Sequence, residues 1–524
     1  MDAKRYNKRI FTVKKKSGNR EPHLYDKLKN YSCENFYPFH MPGHKRQLSL
    51  GPAVHFPNPY SLDITEIDGF DNLHHAEGII RNSMEWAASV YGADKTYYLV
   101  NGSSGGILST VSGTAGTSGT ILMSRNCHKA VYHGVFLNRL KSRYVYPQFM
   151  PEYGVQCGLS PLDIEKMLKT YQDISAVFVV SPTYDGVVSD IRAMGEICHR
   201  HGVPLLVDEA HGAHFRYSEM FPVSALDLGA DVVIQSVHKT LPCFTQSAIL
   251  HIREGYVDRE RIERFLQIYQ SSSPSYVLMA GIEQGIRWME GEGRERMREF
   301  SRELTDMRRE LERMRHLRLL GRDVVGTMDI FDLDASKIIV STKGTNINGV
   351  QLCERLRRDY GLEMEMCTED YVTAITTVMD TKEGLFRLRD GLMEIDGSLT
   401  ENGGEDRRQE NRKGDGKQEG ERNGKDRGGE FWRDWELEQV MTIYEAWEGE
   451  KEPIALEDCE GRVGGEFVYL YPPGIPILVP GERITREILN VIMRYRRLGL
   501  PVQGLKDREN RMMEVVRDGK IGCD

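Results

Sequence analysis

Three short apolar runs, rich in β-branched residues, recur in the middle of the chain at residues 176–180, 203–207 and 231–235. Each ends in polar or acidic residues, and segments of helical spacing separate them. This pattern predicts parallel strands joined by crossover helices, which bring their C-terminal residues to one edge of a sheet. In open parallel sheets that edge is where ligands bind. Upstream, residues 76–91 predict an amphipathic helix. Residues 96–100 predict a strand that stops at Asn101-Gly102-Ser103-Ser104-Gly105-Gly106 and turns into a helix. Thr120–Ser124 predicts another strand, ending just before Asn126-Cys127-His128. Asp190 is placed to cap a helix that runs to about Arg200 and is closed by Gly202.

Later in the chain, residues 282–319 are dense in Arg and Glu. Met297, Phe300, Leu304, Met307, Leu311 and Met314 fall at spacings of three and four, which predicts one long helix whose apolar stripe packs between domains. A second α/β unit follows, with a strand at Lys337–Ser341 and a helix over residues 348–360. Composition then breaks: residues 397–430 are nearly all Gly, Glu, Asp, Lys, Arg, Asn and Gln. Such a segment cannot offset the entropy of ordering, so a disordered charged linker is expected. The expected organisation is a loosely ordered arm at 1–35, a large domain at 36–281, a long helix with a small α/β domain at 282–396, the linker, and a C-terminal unit at 431–524. The His-, Pro- and Gly-rich stretch 36–62 suits a loop lining a site.

At 524 residues the chain exceeds the size at which one core usually stops growing, so two or three domains are expected. The formal net charge of −9 comes from interspersed acids and bases, with no basic face that calls for nucleic acid or an anionic membrane. No run approaches twenty apolar residues, and the basic N-terminus lacks the apolar core of a secretory signal. Nine cysteines occur without a C-x-x-C pair, so the expectation is a reduced, cytoplasmic protein.

The chemistry centres on Ser236-Val237-His238-Lys239, which follows the run 231–235. A lysine just past a strand is either a surface cation or a desolvated amine used for chemistry. Asp208, at the end of the neighbouring run, tips the reading. An amine and a carboxylate arriving at one sheet edge are what pyridoxal phosphate needs, for the Schiff base and the pyridinium nitrogen respectively. Asp208 could alternatively cap the helix that begins at Glu209. Asn101 to Gly106 offers small residues where a backbone approaches an anion, at the opening of a helix.

These segments carry a resemblance. Val207-Asp208-Glu209-Ala210-His211-Gly212-Ala213-His214 and Ser236-Val237-His238-Lys239-Thr240-Leu241-Pro242 resemble the Orn/Lys/Arg decarboxylase family. Four further segments are similar to it in the same order: Pro38-Phe39-His40-Met41-Pro42-Gly43-His44-Lys45, Asn101 to Gly106, Ser271-Ser272-Ser273-Pro274-Ser275-Tyr276, and Tyr471 to Glu482. The resemblance implies an α/β protein whose large domain is of the fold-type-I pyridoxal-phosphate kind with a mainly parallel sheet, a smaller α/β domain and a C-terminal α+β domain. It is arginine decarboxylase-like, in a short form lacking the N-terminal regulatory domain. It also implies pyridoxal 5'-phosphate as cofactor, a small basic amino acid as substrate, a place in polyamine metabolism, and a homodimer or higher homo-oligomer.

Residue by residue, the resemblance makes Lys239 the Schiff-base lysine and Asp208 the partner of the ring nitrogen. His128 would stack on the cofactor ring, with helix capping as its alternative. His211 either touches cofactor or substrate or is a structural histidine. Ser103, Ser104, Ser236 and His238 become phosphate ligands, and Ser271 and Ser273 reach the phosphate from a neighbouring subunit. Lys239 or His238 returns the proton to Cα. Asp63, in the acid-rich loop 63–71, and Glu466 are the candidates for the distal cation of the substrate. Arginine is favoured, with lysine and ornithine close behind.

Other readings remain. Asp208-Glu209-Ala210-His211 is spelled like a helicase box, but no phosphate loop accompanies it. The pairs His211/His214 and His40/His44 lack any H-E-x-x-H motif or thiolate pair, so no metal is expected. An aminotransferase or Cβ-lyase on the same fold, or a cofactor-binding protein without turnover, are the alternatives.

Overall fold

The computed structural model describes residues 23–400, 437–472 and 474–517. Most of the N-terminal arm and the charged segment from residue 401 onward lie outside the described residues. The part of the arm that is described is not irregular: Leu24–Ser32 is a helix without a single buried residue.

A seven-stranded sheet organises the rest. Its strands are β1 (Lys95–Leu99), β2 (Thr120–Ser124), β3 (Lys141–Val145), β4 (Ile174–Val180), β5 (Leu205–Asp208), β6 (Val232–Gln235) and β7 (Ala248–Ile252), in the order β1-β7-β6-β5-β4-β2-β3. The five strands β3, β2, β4, β5 and β6 pair in parallel, while β7 is antiparallel to both of its neighbours. The apolar runs are continuous because helices cover both faces. Leu205, Val207 and Val233 point into one buried cluster, and Leu206, Val232 and Ile234 into the other. The expected α/β class with a mainly parallel sheet is met.

The long helix expected over 282–319 is two helices, Tyr276–Glu290 and Gly293–Leu311, and the chain beyond turns into the strand Arg318–Leu319. Gly291 interrupts the first, its N–H closing back on the carbonyls of Arg287 and Trp288. A side chain at Gly293 would meet the Trp288 carbonyl at 2.8 Å, so the second helix can start only from glycine. The stripe itself behaves as its spacing requires. Met297, Phe300, Leu304, Met307 and Leu311 are buried in one cluster with residues of both the large sheet and the four-stranded antiparallel sheet that follows. That smaller sheet runs in the order Arg318–Leu319, Lys337–Ser341, Tyr371–Ile375, Met366–Cys367. The helix after it, Gly349–Tyr360, opens on a capping box between Asn348 and Gln351 and ends at Gly361 in the left-handed conformation.

The C-terminal residues form small antiparallel sheets and the helix Arg486–Arg497 around their own core. They dock through one buried ion pair, Arg125 with Glu482 at 3.0 Å, both side chains 1% exposed. The Arg125 guanidinium also donates to the carbonyls of Pro476 and Ile477 and to the Tyr132 hydroxyl, and Glu482 accepts the Val479 N–H. No helix among the described residues is long and apolar enough to cross a membrane.

The Pro-Gly-His-Lys segment buttresses the Lys239 turn. The Gly43 N–H donates to the His238 carbonyl at 2.6 Å, and the Gly43 carbonyl accepts from Thr377 Oγ1 at 2.7 Å. Lys45 is buried, its Nζ spent on the carbonyls of His40 and Ile375.

Two outcomes are expected from these contacts. Glu482→Ala leaves a buried guanidinium uncompensated and should destabilise the protein by about 3–5 kcal/mol, measurable by denaturant unfolding. Gly43→Ala places a methyl 2.6 Å from the Leu241 carbonyl and 3.0 Å from that of Lys239, backbone atoms with no freedom to yield. It should cost about 1–3 kcal/mol, and an unchanged thermal midpoint would show that the turn is not clamped there.

Candidate active site

A cavity of about 850 Å³ opens at the C-terminal edge of the parallel strands. Lys239, Asp208, His211, His128, Ser103, Ser104, Ser236 and His238 all line it. Their convergence follows from the topology: β5 and β6 are adjacent and parallel, with Ile234 in register with Asp208, so Asp208 and the turn at 236–240 leave the sheet side by side.

Lys239 Nζ lies 3.0 Å from His211 Nε2, and on the other side of the same ring Lys337 Nζ lies 2.7 Å from Nδ1. Burial pushes the Lys239 amine below its ordinary value, against the pull of Asp208 and Glu365. Burial likewise raises the Asp208 carboxyl, with Lys239 and the Ala210 N–H opposing. No helix begins at Glu209, so the helix-capping reading fails; that N–H, 3.1 Å from Asp208 Oδ1, belongs to a turn that the carboxyl braces while the residue lines the cavity.

For His128 the helix-capping alternative is met, and the residue also lines the cavity. It caps the helix Lys129–Leu137 through Nδ1, which accepts the Ala130 N–H at 3.2 Å, and its ring faces the cavity. Burial and the nearby Lys239 and Lys129 hold it neutral, with its pKa down to about 3. His238 Nδ1 donates to the Ser247 carbonyl at 2.7 Å, which leaves Nε2 as the ring nitrogen with a lone pair, and burial lowers its pKa to about 4.

The helix Gly102–Ala115 has no side-chain cap, so its first N–H groups are open to the cavity beside Ser103 and Ser104. Ser236 Oγ donates to Ser103 Oγ at 2.9 Å. Gly106 has a packing role instead: a methyl there would strike Leu99 at 2.6 Å, so glycine lets the helix settle onto the sheet. Asn126 Oδ1 is buried on the same wall without a hydrogen-bond partner. An uncapped helix start with hydroxyls, a neutral imidazole, a buried carboxylate and a desolvated amine match the donor set for pyridoxal phosphate.

Four expected residues do not reach this cavity within the chain. Ser271, Ser273 and Asp63 are exposed. Glu466 braces the C-terminal unit, its carboxylate accepting the N–H groups of Lys506 and Glu514 at 2.8 Å each. Asp71, from the same acid-rich loop as Asp63, is a helix cap. Its carboxylate takes N–H donors from Asn72, Glu77, Gly78, Ile80 and Arg81, which outweigh burial and hold its pKa down at about 2.

The acids that do line the cavity were missed from sequence: Asp185, Glu365, Glu369 and Asp370. Glu365 accepts the Met41 N–H at 2.8 Å and the Tyr184 hydroxyl. Asp185 accepts from the Tyr371 hydroxyl at 3.0 Å, and burial raises it to about 6. Glu369 is paired with Arg494 at 2.6 Å and Asp370 with Lys343 at 3.2 Å. The Thr-Tyr-Asp-Gly stretch 183–186, directly after β4, was the available signal for Asp185.

Comparison with known proteins agrees with this geometry. The family model "Orn/Lys/Arg decarboxylase, major domain" matches residues 22–349, and "Orn/Lys/Arg decarboxylase, C-terminal domain" matches residues 432–499. The arginine decarboxylase of Bacillus subtilis is 31% identical over 507 residues, covering 95% of this chain and 99% of that protein. The arginine decarboxylase of Halalkalibacterium halodurans is 32% identical over 499 residues, covering 94% and 97%. The solved structure of the Escherichia coli constitutive lysine decarboxylase shares the fold, with a TM-score of 0.68 at 20% identity over 95% of this chain and 82% of that one. Solved structures with the same fold include pyridoxal-phosphate enzymes. With the Lys239 and Asp208 constellation at the strand ends and a family match over most of its length, the chain belongs to the Orn/Lys/Arg decarboxylase family of amino-acid decarboxylases.

Proposed function

We propose that the protein decarboxylates arginine to agmatine with pyridoxal 5'-phosphate bound in the cavity. One observation carries the reading: the amine Lys239 and the carboxylate Asp208 line the same cavity as four further acids, Asp185, Glu365, Glu369 and Asp370. The cofactor supplies an aldehyde carbon and a pyridinium ring that draws electrons from Cα. Lys239 offers the amine that holds it, Asp208 keeps a proton on the ring nitrogen, and Ser103, Ser104, Ser236 and the open helix start receive its phosphate. His128 closes one face as a neutral ring. His238 Nε2 and Lys239 Nζ are the atoms able to carry a proton to Cα.

Glu365 and Asp185 are the carboxylates proposed to meet the distal cation of the substrate, in place of Asp63 and Glu466. A planar guanidinium takes carboxylate oxygens in a fork, an ammonium only as a point charge. The relatives named arginine decarboxylase support arginine over lysine and ornithine.

A homodimer completes the site in this reading. Ser271 is tied to the 58–79 region, with His74 Nε2 2.7 Å from its carbonyl and the Tyr276 hydroxyl donating to the Asp71 carbonyl at 2.6 Å. The same region exposes Tyr60, Ile67 and Phe70, as a face covered by a second copy would. Ser271 and Ser273 would then act across that face. The eight described cysteines are all free thiols, which supports a cytoplasmic enzyme of polyamine synthesis.

Purified protein supplied with pyridoxal phosphate should convert arginine to agmatine faster than it converts lysine or ornithine at matched concentrations, scored by product chromatography. Dominant cadaverine or putrescine would overturn the substrate assignment. Lys239→Ala should lower carbon dioxide release from every substrate by several orders of magnitude. Glu365→Gln should raise KM for arginine roughly tenfold, the loss expected of one charge-assisted hydrogen bond; an unchanged KM would remove Glu365 from the substrate pocket.

A further inference from the structure

Lys337 has no role in the reaction as described so far, yet it is among the most thoroughly buried side chains of the protein. It enters from the smaller sheet, at the start of Lys337–Ser341. Two features fix its path. Arg308, buried on the helix Gly293–Leu311, donates to the carbonyls of Lys337 at 3.1 Å and Ala335 at 3.2 Å. Gly186, at φ +88, leaves the room its side chain crosses, since a Cβ there would strike Lys337 Cγ at 2.7 Å.

His211 lies between two lysines, 3.0 Å from one and 2.7 Å from the other. The imidazole is neutral, because burial and the neighbouring Lys239, Lys337, His238 and His214 hold it well below its ordinary range. A neutral imidazole has one N–H and one lone pair. The nitrogen with the N–H must face an amine that can accept, and an ammonium cannot. His211 therefore admits only one protonated lysine beside it, and its tautomer records which.

The surrounding charges assign the proton. Burial lowers the Lys337 amine to about 8, with Lys239 and Lys45 in the same sense and Asp334, Glu365 and Asp185 opposing, so it stays mostly an ammonium at neutral pH. Burial opposes the Asp334 charge, but His214 at 3.2 Å, Lys337 and the Ser336 N–H at 2.9 Å overcome it and hold Asp334 ionised. Lys239 faces Asp208, which burial biases toward its neutral form, and Glu365, with His128, His211 and His238 near it. The firmly ionised counter-charge belongs to Lys337.

We propose that Lys337 is a positioning residue: as an ammonium donating to His211 Nδ1 it fixes the Nε2–H tautomer, and that N–H, donated to Lys239 Nζ, keeps the Lys239 amine free of its proton. The proposal rests on Lys239 being the amine that captures the cofactor aldehyde, and it explains how that amine is held ready near neutral pH. The residue acts from the smaller sheet on a lysine of the large one, through a single imidazole.

The test reads the ionisation of Lys239 without relying on turnover. The cofactor-free protein is labelled with trace acetic anhydride across pH, and the Lys239 peptide is quantified by mass spectrometry. In Lys337→Met the labelling midpoint of Lys239 should rise by about one pH unit, a tenfold loss of free amine at neutral pH. In Lys337→Arg, which keeps a cation donor, the midpoint should stay near that of the wild type. Lys337→Gln, whose uncharged amide can turn its oxygen toward Nδ1–H and so no longer fixes the tautomer, stands in if the Met variant does not fold; its midpoint should rise as well. An equal midpoint in wild type and the uncharged variants overturns the role of Lys337. Addition of pyridoxal phosphate to the same wild-type sample separates the underlying reading: absence of the visible absorbance band of the captured cofactor would reject Lys239 as the capturing amine and the proposal with it, whereas a normal band with unmoved midpoints rejects the proposal alone.

Discussion

A primary amine serves as a nucleophile only without its proton, and most of the arrangement around Lys239 follows from that requirement. Burial alone favours the neutral form, but a buried amine also needs hydrogen-bonding partners that do not recharge it. Carboxylates are poor partners on that count, and here they stand as one of several neighbours, with Asp208 and Glu365 offset by His211, Lys337 and neutral His128. His211 is the partner that suits, because a neutral imidazole presents a donor to one side and an acceptor to the other.

Holding such a balance requires that its members come from parts of the fold that cannot drift apart. Asp208 ends one parallel strand and Lys239 lies in the helical turn just after its neighbour. Lys337 belongs to the smaller sheet, and its placement depends on Arg308 and on the buried His214–Asp334 pair that spans the two sheets. The continuous apolar cluster through Phe300, Leu304 and Ile338 makes the two sheets one packed body. The C-terminal unit contributes the remaining wall through Leu470, Tyr471 and Arg494, and Arg125 with Glu482 fixes it to the strand that leads into His128. A buried ion pair is weak evidence for net stability; here it joins a separate core to the cavity it covers.

The parts legible in the sequence were those that local rules determine. Continuous apolar runs, buried on both faces, marked β4, β5 and β6, and adjacency of parallel strands put Lys239 and Asp208 together. Asp190 and Gly202 bounded their helix by cap chemistry. The helix break at 291–293 was hidden because the apolar stripe keeps its phase from Met297 onward, while the break depends on how Gly293 packs against Trp288. Lys337 was illegible for a related reason: a lysine at the start of an apolar strand is ordinarily a snorkelling cation, and nothing local shows that Gly186, some 150 positions earlier, vacates its path. Glu466 and Asp71 looked like substrate acids and are backbone braces, because a carboxylate that accepts several N–H groups is spelled no differently from one that faces a ligand.

The cavity brings amines and carboxylates onto one lining, and the balance between them follows from the same constraint. Around Lys239 burial keeps His128, His211 and His238 neutral, and Lys337, the ammonium of the proposal, lies behind His211. Of the acids on the same lining, Glu369 and Asp370 are already matched by Arg494 and Lys343, whereas Glu365 and Asp185 are held by tyrosine hydroxyls and a backbone N–H. Hydroxyl donors orient a carboxylate without neutralising it. In the proposed reading these acids would meet the cationic side chain of the substrate, and Glu365, which lines the cavity and also bears on Lys239 and Lys337, would join recognition to the amine.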